Sequence, residues 1–421
     1  MRHDFEMARE MVDVALLKEN QANEGRDHTL RLVIIDPPMP STMQKPFLRF
    51  SFSDISWSYV RNLESQVSEG MTMYLVGSYD VEPQFSYAKV VNVPAQLWHF
   101  RNVPTRFVLL RKYISVVRDL KPDIILSSDY LTLAVATAKC GRIPSVLITP
   151  GSILERRETY NPYGYSLTKA LEWAAGKLRE RGTHIAATSP YMLDWWGSMG
   201  FEGERLTMIP LPTDIRMEMP SREACRSMLG WSPEKMHFSI IANLRQENQI
   251  GSGIRAFQDF VVASGSGLPY QLHVVGGGPL EGELRGLIHE LGLDNVTLHG
   301  PVAIDDLPLY YVSSDVLLVP RRYNATPRTA QEALCYGTPL ITNLNKSLSG
   351  FSEFIDRFVK QVDFESSDAG RFIQQAILEL RLTDDKRTHL QAESRDIFAA
   401  ERVCAQFAHL CERLLPSTDG G

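Results

Sequence analysis

Two short stretches carry residues whose types and spacing suit a charged, hydroxyl-rich ligand. The first is Val274-Val275-Gly276-Gly277-Gly278-Pro279, which lies directly after an apolar run and before a helical pattern. Glycines at such a place let backbone approach a ligand closely and leave amide N–H groups unshielded at a helix start, which suits a phosphate or a sugar. The G-x-G-x-x-G spacing of a dinucleotide fingerprint fails at Glu281, and no Gly-Lys-Ser/Thr follows to make a P-loop. A tight strand-to-helix turn without any ligand would use the same glycines.

The second stretch runs from Pro320 to Pro339. An apolar run ends at Pro320, a polar loop through Asn324 follows, and a helix is predicted from about Pro327, where proline suits the first turn. Its amino terminus, flanked by Thr326 and Thr329 and reinforced by Arg328, makes an anion site. Glu332 lies one turn further on, and its carboxylate could accept two hydrogen bonds from a ribose diol. Gly337 closes the helix, and Thr338-Pro339 leads into the next strand.

Other side chains offer less. No HExxH, CxxC or DxD segment is present, so no metal ion is expected. The ten histidines are dispersed, and each is read as structural. An aromatic loop, Pro46-Phe47-Leu48-Arg49-Phe50-Ser51-Phe52 leading to Trp57, suits the apolar face of an acceptor sugar or lipid, although aromatics that pack helices would look the same. Arg106–Lys121 places Leu110, Tyr113, Ile114 and Val117 at helical spacing among five basic residues. Such a helix could rest on an anionic membrane surface or present a solvated basic face.

The elements that must position these residues follow from periodicity. Short apolar runs alternate with longer helical patterns, as in βα units of a parallel sheet. In the first half the predicted strands are 32–36, 73–77, 124–127, 146–149, 184–188 and 207–210; in the second they are 237–242, 271–275, 296–299, 316–320 and 340–342. The runs are apolar throughout, as expected of strands covered on both faces. Amphipathic stretches such as Glu281–Leu291 and Thr329–Tyr336 lie between them, and the tail from Ala369 to Leu415 reads as helices only. Pro210 and Pro212 mark a boundary. The expected fold class is α/β: a helical extension over 1–28, a Rossmann-like domain over 29–212, a second over 213–395 and a returning helix over 396–421. Ligands belong at the carboxyl ends of the strands.

Bulk properties narrow the classes. A chain of 421 residues exceeds one ordinary core. The net charge of −6 argues against a general nucleic-acid binder. Five cysteines without metal-ligand spacing fit reduced thiols. The charged amino terminus does not read as a signal peptide, so none is expected, and no apolar run reaches the roughly 18 residues of a membrane span. A cytoplasmic location is expected, from which the inner face of a membrane remains within reach.

The ordered set Gly-Gly-Gly-Pro, His299-Gly300-Pro301-Val302, Tyr311-Val312-Ser313-Ser314-Asp315-Val316 and Pro327-Arg328-x3-Glu332-Ala333-Leu334-x2-Gly337-Thr338-Pro339 is similar to the retaining GT-B glycosyltransferases of family 4, also called group 1. Leu120-Lys121-Pro122-Asp123-Ile124-Ile125 and Ile209-Pro210-x3-Asp214 extend the likeness backward. The resemblance implies two Rossmann-like domains facing across a cleft, with C-terminal helices crossing back. It implies a metal-independent, retaining glycosyltransferase with no cofactor, a nucleotide diphosphate-sugar as donor, and a glycan, lipid-linked glycan or small molecule as acceptor.

By that resemblance Gly276, Gly277, Gly278, Pro279, Thr326, Pro327, Arg328, Thr329, Glu332 and Asn248 face the donor. Asn324, Arg245 and Arg328 take the catalytic positions, and Phe47, Phe50, Asp129 and Ser152 lie on the acceptor side. The chain departs from the pattern at three points. Asn324 stands at the first position of the Glu-x7-Glu motif; Asn243 and Asn248 replace the Arg and Lys of the pyrophosphate pair, with Arg245 offset by two; and Thr149-Pro150-Gly151-Ser152 lacks the family's histidine. A catalytically degenerate GT-B protein acting as a nucleotide-sugar-binding or partner subunit is the alternative these departures raise.

Overall fold

The structure, a computed structural model, describes residues 30–35, 63, 71–77, 88–92, 114–149, 164–265, 269–321, 326–380 and 383–415. The expectations for residues 1–28, Phe47, Phe50, Ser152 and Asn324 lie outside them. The chain forms two compact units, one from the described residues of 1–188, 192–212 and 400–421, the other from those of 189–191 and 213–399.

The first unit is built on β1 (Leu30–Ile35), β2 (Met71–Gly77), β3 (Lys89–Asn92), β4 (Ile124–Ser127), β5 (Ser145–Thr149), β6 (His184–Ala187) and β7 (Leu206–Met208). They pair in the order β3-β2-β1-β4-β5-β6-β7, each pair parallel. Helices α1 (Tyr130–Cys140), α2 (Gly164–Arg181) and α3 (Pro190–Ser198) follow β4, β5 and β6. Every residue of β4, β5 and β6 is buried, which is why their sequences are apolar rather than alternating. The helix Ala400–Leu414 places Val403, Phe407 and Leu410 in the same core as Leu32, Leu126 and Ile148.

The second unit carries β8 (Met236–Ile241), β9 (Tyr270–Val275), β10 (Val296–Gly300), β11 (Val316–Val319), β12 (Leu340–Thr342) and β13 (Val359–Gln361), ordered β10-β9-β8-β11-β12-β13 and again parallel. Its helices are α4 (Arg222–Leu229), α5 (Ile250–Ser264), α6 (Glu281–Glu290), α7 (Leu307–Ser313), α8 (Arg328–Cys335), α9 (Glu353–Asp356), α10 (Ala369–Leu380) and α11 (Asp384–Phe398). The strand order reverses direction between β8 and β11, and that switch point is where a doubly wound sheet opens a crevice for ligands. β3 and β13 were not expected. Both are short edge strands, and Lys89, Asn92, Lys360 and Gln361 mask the apolar signal that marks the central ones.

Two polar knots hold the second sheet. At the start of β11, Asp315 accepts from Arg222, from Arg226 Nη2 at 2.7 Å and from the His237 amide at 2.8 Å. Arg387 caps the Ser314, Asp315 and Gly337 carbonyls beside it. Across β8, β9 and β10 runs a histidine ladder: His237 Nδ1 meets His273 Nε2 at 2.9 Å, and His273 Nδ1 meets His299 Nε2 at 2.9 Å. His237 Nε2 lies 2.7 Å from the Ser232 carbonyl, which can only accept. That contact makes His237 Nε2 the protonated nitrogen and so sets the tautomers that follow: His273 donates through Nε2 and accepts through Nδ1, and His299 donates through Nε2. Trp231 stacks on His273 at 3.6 Å between centroids and 7° between planes. Burial lowers the pKa of all three imidazoles, and that of His273, with a histidine on either side, is pushed down to about 2.

Candidate functional site

The carboxyl ends of β8 and β9 are tied into one surface by backbone. Ala242 N donates to Val275 O, Leu244 N to Gly277 O, and Leu280 N to Leu244 O. The glycine turn is shaped by this contact. Gly276 has φ +138°, and a Cβ there would sit 1.9 Å from Ala242 O; one on Gly278 would sit 2.5 Å from Leu244 O. Both glycines are therefore demanded by the neighbouring backbone, and the Gly276 amide is spent on Gly300 O. Helix α6 beyond Pro279 carries Glu281 and Glu283 in its first turn, which already complement its dipole.

The loop after β8 folds on itself. Asn248 Nδ2 donates to Asn243 O at 2.7 Å, Arg245 N to Asn243 O and Asn248 N to Arg245 O. The Arg245 guanidinium is half-exposed and lies 3.9 Å from the Glu247 carboxylate. It is a cation at the end of β8, next to the strand that leads to α8.

Helix α8 begins at the end of the loop after β11, with Pro327 as its cap and no acid in its first turn. Pro327 offers no side-chain cap; the Ala330 and Gln331 amides turn back to Pro327 O, and among the described residues the Arg328 and Thr329 amides have no acceptor. Four buried polar atoms without a protein partner fall between Thr326 and Gln331: Thr326 Oγ1, Arg328 Nη2, and both Gln331 Oε1 and Nε2. Gln331 is fully buried. Native interiors seldom leave such groups unpaired, which makes this segment a candidate for a polar ligand or ordered water. Glu332 is held differently. Its Oε2 accepts from the Tyr311 hydroxyl at 2.6 Å. Burial raises its carboxyl above the ordinary range; Tyr311 and Arg328 oppose that, while Asp214 adds to it.

In the first unit Asp129 caps α1, its side chain accepting from Thr132 N at 2.7 Å, and burial pushes its carboxyl upward. Ser128 beside it is buried with its hydroxyl unpartnered. At the end of β5, Thr149 is held by Trp196 Nε1 at 3.0 Å and by Thr188 at 2.8 Å.

The structure thus gathers Thr326, Pro327, Arg328, Thr329 and Glu332 on one helix end, and joins Gly276–Pro279 to the Asn243–Asn248 loop on the adjoining strands. Tyr311 and Gln331 were missed. Gln331 stood out in the sequence only as an amide within an otherwise apolar helix face, and Tyr311 as part of the Tyr310-Tyr311 pair. Among the described residues no group of three or more His, Cys, Asp or Glu could hold a metal ion. None of the described helices is long and apolar enough to cross a membrane.

Residues 222–396 match the family model of glycosyl transferases group 1, and residues 59–216 match that of glycosyltransferase family 4. Mannosylfructose-phosphate synthase of Agrobacterium fabrum is 24% identical over 241 residues, covering 54% of this chain and 52% of that protein. The chain therefore matches about half the length of that relative. Among solved structures, sucrose-phosphate synthase from Thermosynechococcus elongatus superposes with a TM-score of 0.73 at 15% identity, over 91% of this chain and 99% of the other. Anabaena HepE in complex with UDP and glucose superposes with a TM-score of 0.66 at 16% identity, over 91% and 99%. At these identities the likeness is one of fold.

Proposed function

We propose that this chain, a GT-B glycosyltransferase of the group 1 type, takes its sugar from a nucleoside diphosphate-sugar held on the second unit and transfers it with retention of anomeric configuration. The observation that carries this reading is the uncapped start of α8, with its unpartnered polar atoms beside a carboxylate anchored by Tyr311. Free amides, Arg328 and the helix dipole suit a diphosphate. Glu332 one turn along suits the ribose hydroxyls. Arg245 adds a second cation at the end of the neighbouring strand, and Asn324 is assigned to the donor sugar.

The acceptor is a hydroxyl of a glycan, lipid-linked glycan or small molecule, with Phe47, Phe50, Asp129 and Ser152 of the first unit proposed for its binding. The bond between the anomeric carbon and the diphosphate oxygen breaks, and the acceptor oxygen bonds to that carbon on the same face. Its proton passes to the departing diphosphate. Fixed positive charge and oriented amides stabilise the leaving group, and no metal is required of the protein. Because HepE was crystallised with UDP and glucose, UDP and UDP-glucose are the first donors to test.

Calorimetric titration with UDP, GDP and ADP tests the site. One nucleotide is expected to bind, and Glu332→Ala and Arg328→Ala should each weaken it by ~1–3 kcal/mol through loss of a charge-assisted hydrogen bond. Unchanged affinity in both variants would remove the assignment.

A further inference from the structure

Tyr311 lies on α7, is 1% exposed, and has its surroundings fixed on three sides. Thr338 Oγ1 donates to its carbonyl at 2.6 Å. Its ring stacks on Tyr336, 5.8 Å between centroids and 8° between planes, and the Tyr336 hydroxyl in turn accepts from the Arg216 amide at 2.8 Å. With ring and backbone held in this way, the buried hydroxyl donates to Glu332 Oε2 at 2.6 Å. Among the described residues nothing donates to Glu332 Oε1. An ionised carboxylate offers about four lone-pair positions, so after Tyr311 takes one, enough remain for the two hydroxyls of a ribose.

We infer that Tyr311 is a positioning residue for donor binding: its hydroxyl fixes the Glu332 carboxylate in one orientation, with Oε1 presented to the ligand. This rests on the reading of α8 as the nucleotide site. The groups facing Glu332 are Tyr311 on α7, Arg328, Cys335 and Tyr336 along α8 and its end, and Asp214 from the segment after β7. Of these, Tyr311 and Arg328 favour the ionised form, whereas Asp214 and burial oppose it. Tyr311 itself stays protonated, because burial and the adjacent carboxylate both raise it well above an ordinary phenol. It is a permanent donor, and removing it shifts Glu332 toward the protonated state, which is a poorer acceptor.

Tyr311→Phe tests this, because it keeps the ring and its stacking and removes only the donor. In ligand-free protein with carboxyl-labelled glutamate, the Glu332 resonance, assigned by its loss in Glu332→Gln, should titrate at higher pH in Tyr311→Phe. UDP affinity near neutral pH should fall about tenfold, as expected for one hydrogen bond to a charged group, and its decline on acidification should begin at higher pH. Tyr336→Phe, which loses the Arg216 contact but not the one to Glu332, should leave the titration in place. In a Glu332→Gln background, Tyr311→Phe should change UDP affinity less than about twofold. Should Tyr311→Phe fail to fold, Glu332→Asp withdraws the carboxylate from the hydroxyl by one methylene and carries the same expectation of weakened UDP binding. An unmoved Glu332 titration, or a pH profile of binding equal to wild type, overturns the inference. A moved titration with UDP affinity indifferent to Glu332→Gln would instead overturn the donor-site reading beneath it.

Discussion

Two buried polar clusters in the second unit are built on opposite principles. The His237–His273–His299 ladder closes on itself: each ring donates to the next, Ser232 O ends the chain, and Trp231 covers the middle. Apart from Trp231 Nε1, no nitrogen of this cluster is left buried and unpartnered. The start of α8 does the reverse. It buries a threonine hydroxyl, an arginine nitrogen and a whole glutamine amide without protein partners, and holds a half-buried glutamate by one bond. A satisfied network stabilises and specifies the fold, whereas an unsatisfied one costs stability and is retained where a ligand completes it. The histidines look more like chemistry to the eye, but the helix start is the cluster we propose as the site.

The sharpest way to break this contrast is to cut the ladder. His273→Ala leaves His237 Nδ1 and His299 Nε2 facing a cavity under Trp231. It should cost about 3–5 kcal/mol of unfolding free energy, combining a cavity with two orphaned groups. UDP affinity of the folded variant should be unchanged. A stable variant with impaired UDP binding would move the ladder into the functional site.

The ladder also predicts acid sensitivity with a defined sign. His237 and His273 have pKa values lowered by burial, with His299, His237, Lys235 and Arg226 around His273, and Arg226, Arg222 and Asp315 around His237. The folded state therefore binds fewer protons than the unfolded chain, whose histidines titrate near 6.5. Stability is full above that pH and is lost as pH falls below it, by about 1.4 kcal/mol per pH unit for each imidazole kept neutral. Asp129 and Glu332, raised by burial, act in the opposite direction, so the telling quantity is the difference between proteins. Denaturant unfolding between pH 7.5 and 5.5 should show a shallower slope for His273→Ala, by about half a proton averaged over that range. Equal slopes would mean that the ladder takes up protons without unfolding.

The same contrast explains what could be read in advance. Ile124–Ser127 and Leu340–Thr342 were legible because both faces of a central parallel strand are covered, and the start of α8 because Pro327 and the polar loop before it mark a helix entry locally. Cross-strand partners leave no such trace. His237, His273 and His299 are separated by 36 and 26 residues, and Tyr311 from Glu332 by 21, so only the register of the sheet and the packing of α7 reveal them. The glycines Gly276 and Gly278 were conspicuous, but the partner that requires them, the backbone of Ala242 and Leu244, could not be seen without the fold.

Gln331 gives the smallest effect and the finest test. It is fully buried on α8, and neither amide atom has a hydrogen-bond partner. A leucine of similar size would remove an unpaired donor and acceptor from the interior while preserving volume. If the cluster is held open for a ligand, Gln331→Leu should stabilise the ligand-free protein by about 1–2 kcal/mol, read as a raised melting temperature, and should weaken UDP binding at the same time. Stability and binding would then move in opposite directions, as they do where a protein keeps unpaired polar groups for function. The opposite pattern is equally informative. Loss of stability with binding untouched would mean that a buried water completes the amide. Gln331 would then belong with the histidine ladder as a closed structural network, and the open site would shrink to Thr326, Arg328 and Glu332.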